Sequence, residues 1–302
     1  MKKRQLGTSD LYVSEVGLGC MSLGTDEQHA VSLIHAALEQ GINYLDTADL
    51  YDYGMNEAFV GKALKGRRDQ AILATKVGNR WTEAKDSWYW DPSKAYIKEE
   101  VKESLRRLGT DYIDLYQLHG GTMEDNMDEA IEAFEELKKE GIIRHYGISS
   151  IRPNVIREYA KRSGIVSVMM EYSILNRRPE EWFPLLQEHG ISVIARGPLA
   201  KGLLTDRYEQ KLSGGKGYLS YSHEELAQVL PHIRETAPGR PLGETAIQYC
   251  LHSQTVAAVI PGASSLEQLL QNAAAGKAEP LAQEEYAAIQ AGTRADKYEL
   301  HR

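Results

Sequence analysis

The feature that most restricts the fold of this chain is a unit that recurs eight times, a short apolar run followed by an amphipathic segment of helical length. The apolar runs contain few polar residues, which is typical of strands that are buried on both faces. Regular alternation of strands and helices indicates a parallel sheet, because a parallel connection needs a long crossover. The predicted strands are Val16–Gly19, Ile42–Asp46, Ala71–Val77, Tyr112–His119, Arg144–Ser149, Val166–Tyr172, Ile191–Arg196 and Val256–Ile260. The helices predicted between them include Glu27–Glu39, Pro92–Leu108, Met127–Glu140 and Pro153–Arg162.

Eight such units in 302 residues predict a (β/α)₈ barrel, and we expect residues 1–302 to form one domain. The first residues, KRQLGTSDLYVSEVG, predict a β-hairpin ahead of the barrel, and an extra helix is predicted after Pro280. Two stretches fall outside the repeat: a long loop, Gly78–Asp91, and an insert, Leu203–Gly243. The competing fold is a doubly wound dinucleotide-binding sheet, because glycines in the first strand are followed about 20 residues later by Glu39.

The charge balance, the hydropathy and the cysteines argue against several classes of protein. The formal net charge is −8, which argues against a nucleic-acid binder because such a protein needs a basic surface for phosphates. No apolar run approaches the roughly 20 residues of a membrane span, and MKKRQLGTSD lacks the apolar core of a signal peptide. Cys20 and Cys250 are too few and too far apart for a disulfide framework or a cysteine metal site. We therefore predict a cytoplasmic protein without a metal, and the sequence indicates no particular oligomeric state.

Polar residues end three successive strands of the predicted barrel. Asp46 ends the second strand, and Tyr51 follows it in the next loop; Lys76 lies near the end of the third strand. His119 ends the fourth. In barrels of this kind the catalytic groups lie at the carboxyl ends of the strands. We therefore expect these four side chains to meet at one mouth.

Those residue types suit the reduction of a carbonyl group. A free phenol is a weak acid at neutral pH, but an adjacent ammonium stabilises the phenolate. Lys76 could act in this way on Tyr51, with Asp46 holding Lys76 charged. His119 could donate a hydrogen bond to the substrate oxygen, which makes an oxyanion site. None of these groups delivers a hydride, so a nicotinamide cofactor is implied.

Several spaced motifs resemble the aldo-keto reductases. They are GINYLDTADLYDYGMNEAFVGKAL (Gly41–Leu64), the segment Ala74–Lys76, DLYQLH (Asp114–His119) and IPGASSLEQLLQN (Ile260–Asn272). The resemblance covers nearly the whole chain and implies a (β/α)₈ barrel that reduces aldehydes and ketones with NADPH. It implies that Asp46, Tyr51, Lys76 and His119 form the catalytic tetrad, with Tyr51 as the general acid. This is the same set that the chemistry of the residues predicts.

The resemblance also implies where a nicotinamide dinucleotide binds. Ser149 and Ser150 lie where the family holds the nicotinamide amide, and Met169 replaces a usual glutamine. Arg196 stands where the family often has a stacking aromatic residue, and its charge led us to expect weaker binding of the oxidised, positively charged nicotinamide. The remaining predicted cofactor contacts are Gly19, Cys20, Met21, Gly197, Pro198, Leu199, Lys201, Gly202, Gly262, Ser264, Gln268 and Asn272.

The sequence favours NADPH, with NADH as the open alternative. Ser264, Gln268 and Asn272 resemble the family's site for adenosine and the 2′-phosphate, at the start of the last barrel helix. However, residues 262–268 contain no basic residue, so Lys201, Lys211 or Lys216 would have to balance the phosphate charge.

Aromatic residues dominate the expected substrate pocket, which receives a small carbonyl compound. Trp81, Trp88 and Trp90 lie in the long loop after the third strand, and Tyr53 lies close to Tyr51. Such walls favour substrates with apolar or ring-shaped bodies.

Two other functions fit the same residues. One is an aldolase-like barrel in which Lys76 forms a Schiff base with the substrate. The other is a non-catalytic subunit that senses nicotinamide nucleotides, because some relatives of this family accompany ion channels.

Overall fold

The computed structural model describes all 302 residues and contains twelve strands and eleven helices. The strands are β1 (Lys3–Gln5), β2 (Tyr12–Ser14), β3 (Leu18–Gly19), β4 (Tyr44–Asp46), β5 (Ile72–Val77), β6 (Asn79–Trp81), β7 (Trp88–Trp90), β8 (Ile113–Leu118), β9 (Ile143–Ser149), β10 (Ser167–Glu171), β11 (Ser192–Arg196) and β12 (Val256–Ile260). The helices are α1 (Glu27–Glu39), α2 (Met55–Leu64), α3 (Lys94–Leu108), α4 (Met127–Lys139), α5 (Pro153–Arg162), α6 (Phe183–Glu188), α7 (Tyr208–Leu212), α8 (His223–Thr236), α9 (Leu242–His252), α10 (Leu266–Ala275) and α11 (Gln283–Ala291).

Eight of the strands form one parallel sheet in the order β3, β4, β5, β8, β9, β10, β11, β12. The sheet closes on itself at the seam between β3 and β12, where Gly17 N donates to Val259 O at 2.8 Å and Val259 N donates to Glu15 O at 2.9 Å. The predicted (β/α)₈ barrel is therefore confirmed, and the doubly wound alternative is wrong. No helix is both long and apolar enough to span a membrane.

Two separate apolar clusters stabilise the barrel. A large cluster fills the layer between the strands and the surrounding helices. A smaller one fills the barrel interior, and it includes Leu6, Leu11 and Val13 from the hairpin that β1 and β2 form. The predicted hairpin is therefore confirmed, and it covers the amino-terminal end of the barrel. The opposite end of the barrel, where the strands end in polar residues, is not covered by the hairpin and can hold a functional site.

Two predicted irregular stretches contain regular structure. Within Gly78–Asp91, β6 and β7 pair as an antiparallel hairpin, with Trp81 opposite Trp88. The alternation of large aromatic residues in this stretch supports strand pairing more than a loop. The insert Leu203–Gly243 contains α7 and α8. Both additions follow the carboxyl end of a barrel strand, so they build up the rim of the mouth.

Gly61 marks the closest approach between α2 and α3. A methyl group at this position would lie 2.5 Å from the carbonyl oxygen of Leu108. In an open helix, Gly→Ala stabilises by about 1 kcal/mol. Here we expect Gly61→Ala to lower the free energy of unfolding by about 1–3 kcal/mol, because backbone atoms must move apart. Urea unfolding at 25 °C measures this change.

Gly214→Ala is the matched control for that prediction. Its added methyl group would meet only Lys211 O, at 3.6 Å, and Gly214 lies in a loop. We expect a change within about 0.5 kcal/mol for this control. Equal stability of Gly61→Ala and the wild type would show that α2 and α3 can move apart without a loss of stability.

Candidate active site

The structure brings Asp46, Tyr51, Lys76 and His119 (the tetrad) together at the open end of the barrel. Asp46 is the last residue of β4, Lys76 lies in β5, and His119 follows β8 directly. These three strands are neighbours, with Asp46 in register with Ala74 and Lys76 in register with Gln117. The carboxyl ends of the strands therefore deliver their side chains to the same edge.

The ammonium group of Lys76 is the centre of the tetrad. Its side chain has no exposed surface, and Nζ donates to Asp46 Oδ2 at 2.6 Å. Nζ also donates to the carbonyl oxygen of Thr47 at 2.7 Å and to the hydroxyl of Tyr51 at 3.2 Å. The second oxygen of Asp46 accepts from Gln117 Nε2 at 3.2 Å. All three donors of the ammonium are used, so Lys76 has one defined orientation.

The opposite charges of Lys76 and Asp46 stabilise each other. Burial alone would lower the pKa of Lys76, but the charge of Asp46 and the hydrogen bonds to Asp46 and Tyr51 raise it above its usual value. Burial raises the pKa of the Asp46 carboxyl, and Lys76 and Gln117 oppose that rise. The 2.6 Å distance between Nζ and Oδ2 is typical of an ammonium and a carboxylate. Lys76 therefore presents a fixed positive charge to the oxygen of Tyr51.

The turn that carries Tyr51 has an unusual backbone. Asp52, Tyr53 and Gly54 have φ values of +49°, +51° and +84°, all in the left-handed region. Such conformations are unfavourable for residues with a side chain and are common at functional sites. The turn directs the ring of Tyr51 at the edge of His119, with centroids 6.0 Å apart.

His119 is held in the neutral form. Burial, followed by the positive charges of Lys76 and Arg196, lowers the pKa of His119 to about 3. Its Nδ1 is buried and has no hydrogen-bond partner in the protein. A neutral imidazole has one donor nitrogen and one acceptor nitrogen, so His119 can donate to an oxygen without carrying charge.

This depressed pKa makes a prediction about stability. In the unfolded chain a histidine titrates near 6.5, whereas folded His119 stays neutral until about pH 3. Between these values the unfolded state binds one more proton, so stability should fall as the pH falls. We expect His119→Asn to reduce this slope by as much as about 1.4 kcal/mol per pH unit between pH 6 and 4. Urea unfolding of both proteins across this range measures it, and parallel curves would contradict the buried neutral state.

The aromatic residues of the β6–β7 hairpin have different environments. The ring of Trp81 meets the ring of Tyr53 edge-on, with centroids 6.2 Å apart, beside the turn that carries Tyr51. Trp88 is 54% exposed at the rim. Trp90 instead packs over Gly78 and donates from Nε1 to Asp125 Oδ1 at 2.9 Å. The same ring also packs over Gly120, the residue after His119, so Trp90 anchors the hairpin to the barrel beside the tetrad. Trp81, Trp88, Trp90 and Tyr53 remain the proposed pocket residues.

Arg196 at the end of β11 is paired. Its Nη1 lies 3.2 Å from Glu171 Oε2, and the other oxygen of Glu171 accepts from the hydroxyl of Tyr218 in the insert at 2.9 Å. Glu171 therefore neutralises part of the charge of Arg196, and the expectation that Arg196 weakens binding of the oxidised nicotinamide stays a prediction. The side chain of Arg196 is still 42% exposed.

The turn after β11 contains the predicted pyrophosphate residues Gly197, Pro198, Leu199, Lys201 and Gly202. Gly197, Lys201 and Gly202 have φ values of +66°, +57° and +91°. The side chain of Lys201 is exposed. Such turns can direct backbone N–H groups to one side, which suits an anion.

Other predicted cofactor residues lie at the seam of the barrel. Gly19, at the end of β3, pairs with Gly262, two residues after β12, and Met21 is 68% exposed at the same rim. Ser264 and Gln268 are exposed at the start of α10, where Ser264 N donates to Gln268 Oε1 at 2.9 Å.

Several predicted cofactor contacts have buried side chains, and these assignments stay predictions. Cys20 has no exposed surface, and burial raises the pKa of its thiol. Met169 is 2% exposed and packs in the barrel interior. Asn272 donates from Nδ2 to Gly262 O at 3.2 Å and so braces the seam. Ser150 is buried with its hydroxyl accepting from Arg152 N, which leaves half-buried Ser149 as the more accessible of the two serines.

Comparison with known proteins decides the family. The model of the aldo/keto reductase family matches residues 15–293. The chain belongs to the aldo-keto reductase family. Among relatives of this aldo-keto reductase, the uncharacterised oxidoreductase YqkF of Bacillus subtilis is 61% identical over the full length of both chains. The NADH-specific methylglyoxal reductase of Escherichia coli is 33% identical, over 91% of this chain and 93% of its own.

A solved aldo-keto reductase gives the same result for the fold. The holo form of AKR11C1 from Bacillus halodurans is 65% identical and superimposes with a TM-score of 0.96, over 100% of this chain and 99% of that one. The resemblance that the motifs indicate is therefore confirmed. The chain is an NAD(P)H-dependent oxidoreductase, and carbonyl reduction is the general reaction that its relatives support.

Some residues of this aldo-keto reductase site were not found from the sequence. Gln117 donates a hydrogen bond to Asp46. Gln117 lies on β8, two residues before His119, and residues two apart along a strand point to the same face. This contact could therefore have been predicted from the sequence. The carbonyl of Thr47 and the carboxylate of Glu171 gave no such signal. Their roles depend on contacts across strands that a residue pattern does not show.

Proposed function

We propose that this aldo-keto reductase reduces aldehydes and ketones with NADPH, with Tyr51 as the general acid. One observation carries the proposal: the buried Lys76 ammonium contacts both Asp46 Oδ2 and the Tyr51 hydroxyl, at 2.6 and 3.2 Å. A fixed positive charge beside a phenol stabilises the phenolate that remains after proton donation.

The residues at the mouth fit a nicotinamide dinucleotide. Ser149 and the plane of Arg196 would hold the nicotinamide end, and the turn Gly197–Gly202 would hold the pyrophosphate. Exposed Ser264 and Gln268, at the start of α10, would hold the adenosine end. The strands that precede the turn and α10, β11 and β12, are neighbours in the sheet, which supports one continuous site for the pyrophosphate and the adenosine. The tetrad itself contains a phenol, an ammonium, a carboxylate and an imidazole, which handle protons but deliver no hydride.

The protein's part in the reaction is to orient the carbonyl and to protonate its oxygen. A bound reduced nicotinamide supplies the hydride to the carbonyl carbon. Neutral His119 donates a hydrogen bond to the carbonyl oxygen and polarises it. Tyr51 gives its proton to the same oxygen as negative charge develops there. Lys76 stabilises the resulting phenolate, and Asp46 keeps Lys76 in place until solvent returns the proton.

The environment of Lys76 supports this role over a Schiff base. A Schiff base needs a neutral amine with a free lone pair, but Asp46 raises the pKa of Lys76 and all three of its donors are occupied. The side chain also has no exposed surface from which to attack a substrate.

The proposed substrates are small carbonyl compounds with an apolar or aromatic body. Trp81, Tyr53 and Trp88 supply aromatic surface beside the tetrad and at the rim. The Escherichia coli relative is named for methylglyoxal, so this dicarbonyl belongs in a substrate panel with aromatic aldehydes.

The first experiment is a fluorescence titration of the purified protein with NADPH and, separately, NADH. The aldehyde panel is then added while the absorbance of the reduced nicotinamide is followed. We expect tighter binding of NADPH and aldehyde-dependent oxidation of it. Binding of a dinucleotide without turnover of any aldehyde would favour a nucleotide-sensing subunit, and binding of neither would contradict the proposed cofactor.

A further inference from the structure

A cluster of buried charged groups lies next to the turn that carries Tyr51, and the proposed mechanism uses none of them. The carboxyl groups are those of Asp49 and Glu57, which have no exposed surface, and of Glu100, which is 7% exposed. The positive group is Arg107 on α3, whose side chain is 11% exposed. Charges in a protein interior need partners, because burial removes the water that would otherwise stabilise them.

Arg107 connects separate parts of the barrel through Glu57 and Glu100. Its Nε donates to Glu57 Oε2 at 2.6 Å and its Nη2 donates to Glu100, so the guanidinium joins α2 to α3. The other oxygen of Glu57 accepts from the hydroxyl of Thr75 at 2.6 Å, and Thr75 precedes Lys76 on β5. A guanidinium holds two carboxylates in a fixed geometry because it is planar. The position of Arg107 is therefore defined relative to the strand that carries Lys76.

The stem of Arg107 contacts the Tyr51 turn directly. A methyl group on Gly54 would lie 2.6 Å from Cδ of Arg107, so the arginine packs against the backbone of this glycine. Asp52, Tyr53 and Gly54 all have left-handed backbone conformations. Conformations of this kind persist only where the surrounding structure holds them. Arg107 supplies such support from α3, three residues after Tyr51.

The guanidinium of Arg107 also contacts the proposed substrate pocket. Its Cζ lies over the ring of Trp81, 5.3 Å from the centroid. A cation is attracted to the face of an indole ring, because that face is electron-rich. Trp81 in turn meets the ring of Tyr53 edge-on. One side chain therefore supports both the turn that carries Tyr51 and an aromatic wall beside it.

Asp49 makes the loop before Tyr51 sensitive to the charge of Arg107. Its Oδ1 accepts from the next backbone N–H at 2.6 Å, and its buried Oδ2 has no hydrogen-bond partner. Burial raises the pKa of the Asp49 carboxyl, and the negative charges of Glu57 and Glu100 raise it further. The positive charge of Arg107 opposes this rise. Without Arg107 these carboxyl groups would repel one another, and the loop would be displaced.

We propose that Arg107 is a positioning residue for the reduction: it holds the Tyr51 turn in place relative to Lys76, and it holds Trp81 where the body of an apolar carbonyl substrate binds. The inference rests on the proposed function, because it takes Tyr51 as the proton donor and Trp81 as a pocket residue. Arg107 contacts none of the tetrad side chains, so it acts on them through the backbone of the turn.

The test measures kcat, KM and the Kd for NADPH of Arg107→Met, with rates divided by the concentration of NADPH-binding sites. We expect kcat to fall about ten- to a hundredfold for methylglyoxal and for an aromatic aldehyde, because a displacement of about 1 Å near reacting groups has an effect of this size. KM should rise about three- to tenfold for the aromatic aldehyde and stay within about twofold for methylglyoxal, which has no ring to pack on Trp81. The Kd for NADPH should stay within about twofold, because Arg107 is not among the proposed cofactor contacts.

Arg68→Met is the matched control. Arg68 also pairs with a buried carboxylate, Asp114, at 2.6 Å, and it lies 4.2 Å from the centroid of the Tyr112 ring. Its other partners are the carbonyl oxygens of Ala71 and Tyr112, which precede β5 and β8 and so lie at the end of the barrel away from the tetrad. We expect both methionine variants to unfold at a lower temperature than the wild type. Arg68→Met should nevertheless keep kcat and KM within about twofold.

A conservative pair of variants covers the case in which Arg107→Met does not fold. Arg107→Lys keeps the charge but loses the planar group that joins Glu57 to Glu100. We expect its kcat to lie between those of the wild type and Arg107→Met, at least about threefold below the wild type. Arg68→Lys is its control and should keep the wild-type kcat. Thermal unfolding shows which variants are folded at the assay temperature.

The two proposals fail in different ways. If the wild type binds no NADPH or reduces no aldehyde, the proposed function is wrong and the inference is overturned with it. If the wild type reduces aldehydes but the Arg107 variants have the same kcat and KM as the matching Arg68 variants, the proposed function is retained and Arg107 is only structural. A large rise in the Kd for NADPH without a fall in kcat would also overturn the inference, because Arg107 would then shape the cofactor site.

Discussion

Replacing Tyr51 by Phe is expected to lower kcat for aldehyde reduction by about a thousandfold, within the range typical of a lost general acid. The Kd for NADPH should stay within about twofold, because phenylalanine keeps the ring and its edge contact with His119. Only the hydroxyl that contacts Lys76 Nζ at 3.2 Å is removed. Steady-state kinetics with an aromatic aldehyde and a cofactor titration measure the two quantities separately.

Tyr12→Phe is the matched control for this loss. Tyr12 lies on the hairpin at the closed end of the barrel and is 55% exposed, so removing its hydroxyl should leave kcat unchanged. A Tyr51→Phe enzyme that retains more than about a tenth of the wild-type kcat would show that another group protonates the oxygen. A large rise in the Kd for NADPH would point instead to a role of Tyr51 in cofactor binding.

The arrangement of the tetrad could be predicted because it depends on local patterns and one rule of topology. The strand β12 and the helix α5 begin and end where the sequence predicts them, at Val256–Ile260 and Pro153–Arg162. Once neighbouring parallel strands are assigned, their carboxyl ends must share an edge. That rule brings Asp46, Lys76 and His119 together without any knowledge of side-chain packing.

The contacts along the rim where the cofactor is proposed to bind are harder to predict from the sequence, because they join distant segments. Arg207 reaches Glu267 only through the path of the insert, and Glu171 meets Arg196 only because β10 and β11 are in register. The burial of Cys20 also could not be read from its position, since strand β3 has only two residues and sets no clear alternation. The hydrogen bond from Trp90 to Asp125 also has no signal in the sequence, because Asp125 lies beyond the next strand.

Replacing Lys76 by Met is expected to lower the free energy of unfolding by about 3–5 kcal/mol at pH 7, the usual effect of removing one partner from a buried ion pair. Asp46 would keep Gln117 as a donor but would lose the ammonium 2.6 Å away. The pKa of Asp46, which burial already raises, should rise further. Such a folded carboxyl binds a proton that the unfolded chain releases, so the variant should lose stability as the pH rises from 5 to 8.

Two further variants separate this effect from a general loss of packing. The double variant Asp46→Asn, Lys76→Met leaves no unpaired charge at these two positions, so it should be more stable than Lys76→Met alone and should lose the added pH dependence. Lys62→Met removes a lysine from an equally short pair, 2.6 Å from Glu27, but those side chains are 59% and 45% exposed. We expect it to change stability by less than about 1 kcal/mol. If Lys76→Met and Lys62→Met were equally mild, Asp46 would have to be solvated, and Lys76 could not hold the fixed charge that the proposed proton donor needs.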